Sequence, residues 1–436
     1  MAYVAATRYK LQDNKPYLYK TADYGKTWTK IISGIPDADF TRVIREDPTR
    51  RGLLYAGTET GVYVSFDDGG HWQSLRLNLP VVPVHDLIVK DGDLLAATHG
   101  RSFWILDNVA LLQQFDSSAL GEPVHLFKPR TTIRFRQGAA LAGGMDAANA
   151  NVGQNPPNGV VIPFFVTEKP AAPATLKIVR DRSGTIEDVR TISLQAGEAS
   201  APAAPADPES PFRRPAQRAA TVRAGANTYV WDMRYPAAEE LAGVVHQGRG
   251  MGPLAAPGNY RVQLTVAGKT YDQPFTIARD PRLTYTDADL EQQFTFLMRA
   301  RDQLARTMGV VGEIRTLRKN AEQAVSNAKA RADSARQVAA LEKALKDLND
   351  KLYPLEERLV QYRARAGEDF INYPTGIDSK LARLIDFASM ADAPPTDGQQ
   401  DLLKRLSDGI AERANALDQV NRQEYSSLMK LAGPKK

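Results

Sequence analysis

Three side chains have the chemistry and spacing of a ligand site: Glu59, His99 and Arg101. Glu59 and His99 fall in equivalent turns of consecutive repeat units, and Arg101 follows two residues later. A carboxylate, an imidazole and a guanidinium on one rim can hold a sugar or an anion through charge-assisted hydrogen bonds. The competing reading has them capping neighbouring turns. No His or carboxylate group has the local spacing of a metal site. The chain has no cysteine, which removes disulfides, Cys-ligated zinc and thiol catalysis. Neither a metal nor a cofactor is expected.

What must position these residues is a stretch that occurs twice. Thr21-Ala-Asp23-Tyr-Gly25-Lys-Thr27-Trp28 and Ser65-Phe-Asp67-Asp-Gly69-Gly-His71-Trp72 both fit hydroxyl-x-Asp-x-Gly-x-x-Trp, with aspartates 44 residues apart. That period is one four-stranded propeller blade, about 40–45 residues. In each copy Asp and Gly make a tight turn, with Gly taking a conformation other residues avoid. The hydroxyl of Thr21 or Ser65 and the carboxylate bond amides in that turn, and the Trp covers the hairpin. All these roles are structural. Short alternating runs flank the copies. Tyr3–Arg8, Tyr17–Thr21 and Thr27–Ile31 make the first unit, and Thr41–Arg45, Leu53–Thr58, Gly61–Phe66 and Trp72–Leu75 the second. His85–Val89, Leu94–Thr98 and Ser102–Leu106 begin a third that stops without an Asp motif or a fourth strand. His85 with Asp86 opens a strand, where an ordinary side-chain hydrogen bond is expected.

The two motifs resemble the Asp-box, or BNR, repeat of sialidase-type and sortilin-type propellers. The runs Gly57-Thr-Glu59-Thr-Gly61-Val-Tyr63 and Ala97-Thr-His99-Gly-Arg101-Ser-Phe103-Trp104 resemble closing blades of large bacterial BNR proteins. Propellers close with 4–8 blades, and residues 1–112 supply about 2.5. The resemblance therefore implies the C-terminal portion of a longer protein, or a chain that needs a partner to supply blades. A solitary arc exposes unpaired strand edges.

Residues 120–283 read as an Ig-like β-sandwich with disordered insertions near 138–158 and 196–220. Tyr229, Trp231 and Met233 alternate with polar residues, as do Tyr260, Val262, Leu264 and Val266. The string from Gly225 to Arg234, followed by Ala256-Pro-Gly-Asn-Tyr260, resembles the Ig-like domain of flagellar hook-capping proteins, which implies a spacer. Residues 285–430 then read as an antiparallel four-helix bundle. Thr286 caps the first helix. Val338, Leu341, Leu345, Leu348, Leu352, Leu355 and Leu359 step by three and four along the second. Pro354 should kink or split that helix near Lys351. The expected fold is therefore multidomain, β then α.

Hydrophobic content of 43% and charged content of 25% are those of a globular chain, and a net charge of +5 over 436 residues does not point to nucleic acid. No run approaches a membrane span of about 18 apolar residues, and residues 1–20 hold no apolar signal-peptide core. The resemblance implies a secreted or periplasmic parent whose signal is not in this chain. The expected function is a non-catalytic binding or scaffold portion, with glycan or peptide as ligand. The alternative is part of a glycoside hydrolase, sialidase-like or another BNR-repeat glycosidase. That chemistry needs two carboxylates roughly 5–5.5 Å or 6.5–9.5 Å apart, and Glu59 has no evident partner.

Overall fold

The alternating runs of the first hundred residues form three small antiparallel sheets. β1 (Ala2–Arg8), β2 (Asp13–Thr21) and β3 (Thr29–Lys30) make the first, in that order. β4 (Thr41–Glu46), β5 (Leu54–Thr58), β6 (Val62–Ser65) and β7 (Gln73–Ser74) make the second. β8 (Val84–Lys90), β9 (Asp93–Thr98) and β10 (Phe103–Leu106) make the third, with β10 at one edge. Every residue of β5 and β6 is buried, because the second sheet packs on both faces. Leu18, Ile31, Ile35, Ile44, Leu54, Ala56, Tyr63 and Trp72 fill the layer it shares with the first sheet. Val43, Tyr55, Val62, Val64, Val84, Leu87, Leu94 and Ala96 fill the layer it shares with the third. The outward faces of the first and third sheets keep apolar residues in solvent: Val4 on one, Ile88, Phe103 and Ile105 on the other.

The computed structural model describes residues 1–115, 121–136, 155–197, 220–331 and 334–433. Most of the insertions read near 138–158 and 196–220 lies outside the described residues. The chain packs as two compact units. One comprises Met1–Arg130, Gly143–Lys169 and Ala224–Val230; the other comprises Thr131–Ala142, Pro170–Arg223 and Trp231–Lys436. The sequence reading places a boundary at 283–285, whereas the second unit holds both a sheet and the helices. The first unit also contains α1 (Ala110–Gln114), the strands β11 (Val124–Leu126) and β13 (Val160–Val166), which pair antiparallel, and all but the last residue of β17 (Gly225–Trp231), which follows β13 in the same sheet.

In the second unit, β14 (Ala174–Arg182), β15 (Thr185–Ala196), β18 (Gly258–Val266) and β19 (Lys269–Arg279) pair antiparallel. β12 (Thr132–Arg134) and β16 (Ala220–Val222) add in parallel at the two edges. Two-residue turns join the hairpins, each with both residues at positive φ: Ser183-Gly184 at 52° and 94°, Ala267-Gly268 at 49° and 80°. Trp231 packs against Tyr260 and Phe275, with ring centroids 5.9 and 6.3 Å away, and donates its indole N–H to the Arg234 carbonyl.

The helices follow. α2 (Asp287–Ala330) opens on the capping box of Thr286 and Asp289 and runs for 44 residues. Its buried stripe continues past Val311 through Ile314, Leu317, Ala321, Val325 and Ala328. α3 (Ala335–Leu359) runs on through Pro354, contrary to the expected break near Lys351. Leu352 and Leu359 on either side of Pro354 are fully buried. Glu356, also buried, is held by Arg315 and Arg318 from α2, so the last turn stays in place although Pro354 offers no amide. α4 (Ile377–Ala388), α5 (Asp397–Val420) and α6 (Ser426–Ala432) complete the layer, a π turn at Asn421–Tyr425 linking the last two. One apolar core spans all five helices. The chain is thus a mixed multidomain protein, antiparallel sheets followed by helices.

Asp378, in the first turn of α4, is fully buried, and neither carboxylate oxygen has a well-formed hydrogen bond. Burial pushes its carboxyl up to about 7, against weaker help from Ser379. The folded state therefore holds this proton more tightly than the unfolded chain. That stability is complete below the ordinary value of 3.8 and is lost as pH rises to about 7. Asp378→Asn is expected to stabilise the protein at pH 8 and to flatten this fall in urea titrations. A pH slope unchanged in the variant would count against the assignment.

Candidate functional site at the rim of the first unit

The Asp motifs fold as their residue types dictate. Thr21 Oγ1 donates to Asp23 Oδ1 at 2.8 Å and accepts the Gly25 amide at 2.9 Å, while the Thr27 amide donates to Asp23 Oδ1 at 2.9 Å. The second copy repeats this bond for bond: Ser65 Oγ to Asp67 Oδ1 at 2.7 Å, Gly69 amide to Ser65 Oγ at 2.9 Å, His71 amide to Asp67 Oδ1 at 2.9 Å. Tyr24-Gly25 and Asp68-Gly69 take positive φ in both. The Thr27 hydroxyl and amide hold the Asp23 carboxyl down to about 2. The tryptophans differ. Trp72 is buried between two sheets and donates its indole N–H to the Ile31 carbonyl at 2.8 Å, whereas Trp28 is 44% exposed. The described residues place no sheet over Trp28.

At the opposite ends of the strands, the turns of the three sheets form one rim. The Glu59 amide donates to the Phe40 carbonyl and the His99 amide to the Pro83 carbonyl, so each turn is tied to the strand beside it. Glu59 is an ion-pair partner: Arg42 Nε donates to its Oε2 at 2.8 Å, and a second guanidinium N–H reaches the same oxygen. The Arg42 guanidinium also lies 4.9 Å from the Phe40 ring, which stacks on Tyr9 at 5.0 Å. His99 lies against His85, ring centroids 5.0 Å apart. Arg101 is exposed, and its carbonyl accepts the Trp104 indole N–H.

The structure thus pairs Glu59 with Arg42 and sets His99 against His85, while Arg101 is exposed in the turn that follows His99. Arg42, Phe40 and Tyr9 were not singled out by the sequence reading. His85 makes a ring contact rather than the side-chain hydrogen bond expected of it; Asp86 beside it pairs with Arg45. Buried Asp39 was also missed. It accepts from the Thr58 and Thr60 hydroxyls, the Thr60 amide and the Tyr63 hydroxyl. A carboxylate so engaged is a turn cap, not a free base. Its one sequence signal is the Thr58-Glu-Thr60 turn. Among the described residues, no group of three or more His, Asp or Glu side chains could hold a metal ion, and no helix is long and apolar enough to cross a membrane.

Partial desolvation, and then the nearby Arg42 and His99, hold the His85 imidazole below its ordinary value of 6.5. His85 is therefore neutral at pH 7, and charging it as pH falls is disfavoured in the folded state. An NMR titration is expected to show His85 Cε1–H moving at lower pH than a free histidine, with Arg42→Gln raising the midpoint. A midpoint unmoved by that change would refute the arrangement.

No family model matches this chain, and no curated protein does either. Among solved structures, the extracellular domain of the putative hybrid two component system BT4673 from B. thetaiotaomicron aligns at 12% identity and a TM-score of 0.18, over 61% of this chain and 34% of that one. The structure pT26-6p aligns at 13% identity and a TM-score of 0.12, over 64% and 47%. This chain spans about a third and a half of the two, and likenesses this weak carry no argument about fold or function.

Proposed function

We propose that the first unit is an open arc of Asp-box propeller blades, and that the chain is a non-catalytic binding or scaffold portion of a larger exported protein. On this reading the rim residues Glu59, His99 and Arg101, with Arg42 and His85, take a glycan or peptide. The six-stranded sheet acts as an Ig-like spacer, and the helices close the chain as a bundle. The observation that carries the reading is the pair of Asp turns, bonded alike on successive stacked sheets whose outermost faces keep apolar side chains in solvent. The state of the rim carboxylates supports a role without turnover. Glu59 is claimed by Arg42 and Asp39 by four donors, so neither of these two described rim carboxylates is free to serve in the acid–base pair a glycosidase uses. The resemblance to exported BNR proteins favours a secreted or periplasmic setting, with further blades or a partner chain completing the arc.

The test is calorimetry against a panel of oligosaccharides and peptides, run beside hydrolysis of aryl glycosides. Binding without turnover, weakened at least about tenfold by Arg42→Ala or His99→Ala, is expected; one lost charge-assisted contact accounts for that factor. Hydrolysis abolished by Glu59→Gln would instead establish the sialidase-like alternative.

A further inference from the structure

The pocket of Trp72 is repeated one sheet further on. Trp72 is enclosed by Leu18, Ile31, Ile35, Leu54, Ala56 and Tyr63. Between the second and third sheets an open cleft is lined by Val62, Leu75, Leu79, Leu94, Ala96 and Trp104. The two sets correspond position by position. Leu18 and Val62 each precede the motif hydroxyl by three residues, and Ile31 and Leu75 each follow the motif Trp by three. Ile35 and Leu79 follow it by seven. Tyr63 pairs with Ala56 as Trp104 pairs with Ala96. In the second sheet the pocket is filled from β7, the fourth strand. Among the described residues, the third sheet has no fourth strand, and β10 is its edge.

We infer that the β10 edge takes an extended segment of a polypeptide different from this chain, which adds as a fourth strand and seats a tryptophan in this cleft. This names the ligand class within the reading above and rests on it. The register follows from the second sheet. There Val64 faces Gln73, and the Leu75 amide donates to the Val62 carbonyl at 2.8 Å, so residues 62 and 64 direct their backbone groups toward β7. Their equivalents are Phe103 and Ile105, which pair with Ala97 and Leu95 as Val62 and Val64 pair with Gly57 and Tyr55. The incoming strand runs antiparallel to β10, and the Leu75 carbonyl accepts its indole N–H as the Ile31 carbonyl does for Trp72. Main-chain bonds supply affinity and the aromatic pocket supplies selectivity, as in other strand-addition complexes. Charge adds a second requirement. Exposed Arg76 lines the cleft, and exposed Arg101 stands in the turn before β10, so the segment leaves past two cations and carries an acidic residue after its tryptophan.

A fluorescent peptide copying Gly69–Asn78, with Glu in place of its arginine, tests this by polarisation against the full chain. Binding is expected to weaken at least tenfold when the peptide tryptophan becomes alanine, and severalfold when the glutamate reverts to arginine. Ile105→Pro removes an outward amide without touching the β9 ladder and should also cost at least tenfold. In 5-fluorotryptophan peptide, the 19F resonance should shift on binding. No binding, or equal binding by the alanine peptide, overturns the inference whatever becomes of the proline variant. Self-association of the chain that the peptide disperses would make the occupant a second copy and overturn it too. Rim binding, tested with Arg42 and His99 variants, is read separately and can fail or hold on its own.

Discussion

Replacing Asp392 with alanine is expected to destabilise the second unit by about 3–5 kcal/mol, the cost of leaving a buried charge without its partner. Arg134 on β12 is 1% exposed, and its guanidinium meets Asp392 Oδ1 at 2.7 Å. The same group donates to the Ala255 carbonyl at 3.0 Å and to Gln293 on α2 at 3.1 Å. Gln293 in turn bonds the carbonyls of Ala388 and Ala391, which lead out of α4 toward Asp392. One edge strand, one helix and one loop thus meet at a single guanidinium. Arg136 also reaches Asp392, at 3.0 Å, and Arg234 lies close enough for the other two arginines to disfavour its charge. The alanine variant would leave three cations facing one another in a poorly solvated place. Burial already pulls Arg134 below its ordinary range, and Asp392 is what opposes that pull. Arg134→Met should cost less, since Met restores apolar packing without a charge, and the double variant should recover part of the loss. Thermal unfolding followed by helical circular dichroism at neutral pH measures all three. Equal stability of Asp392→Ala and the unchanged chain would mean that the guanidinium finds other partners or solvent.

This latch shows where a sequence stops being informative. Arg134 and Asp392 are 258 residues apart and belong to no motif, so only the assembled fold brings them together. The Asp turns were legible because all their bonds close within four residues, between side chains whose types are fixed by the turn. Strands of the first and third sheets were legible because a sheet with one buried face imposes period two, whereas β5 and β6, buried on both faces, stand out as short apolar runs between turn residues. The rim was legible in part. Glu59 and His99 could be placed by counting from the repeat, but Arg42 comes from 17 residues away, on a strand where it looks like any solvent-facing cation. Among the helices, α2 outran its expected stripe because its last turns bury only Ala321, Val325 and Ala328, and small residues give little hydrophobic contrast. Pro354 misled in the opposite direction. A local rule predicted a break, and burial on both sides together with the Glu356 ion pairs overrode it. Two-unit packing was not legible at all, because composition changes near residue 283 while the sheet before it and the helices after it fall in one unit.

The two motif tryptophans are chemically alike and should differ in energetic weight by several-fold. Trp72→Ala is expected to cost about 3–5 kcal/mol, the range for truncating a large buried aromatic. Its side chain is fully enclosed between the first and second sheets, and its N–H satisfies the Ile31 carbonyl, so truncation opens a cavity and strands a buried acceptor. Trp72→Phe keeps most of the apolar contact and loses the hydrogen bond, and should fall between the variant and the parent. Trp28→Ala should cost less than about 1 kcal/mol, because that ring is nearly half exposed and its removal leaves no cavity. The chain has two units, so a single unfolding midpoint would mix them. Hydrogen exchange at amides of β2 and β6 reports the affected layer directly. Protection there should drop by two to three orders of magnitude in Trp72→Ala and change little in Trp28→Ala. Equal losses would mean that each tryptophan acts only on its own hairpin, and that the layer between the sheets is not what the motif secures. It would also remove the template for a strand and a tryptophan arriving at β10, since that cleft is the Trp72 pocket repeated.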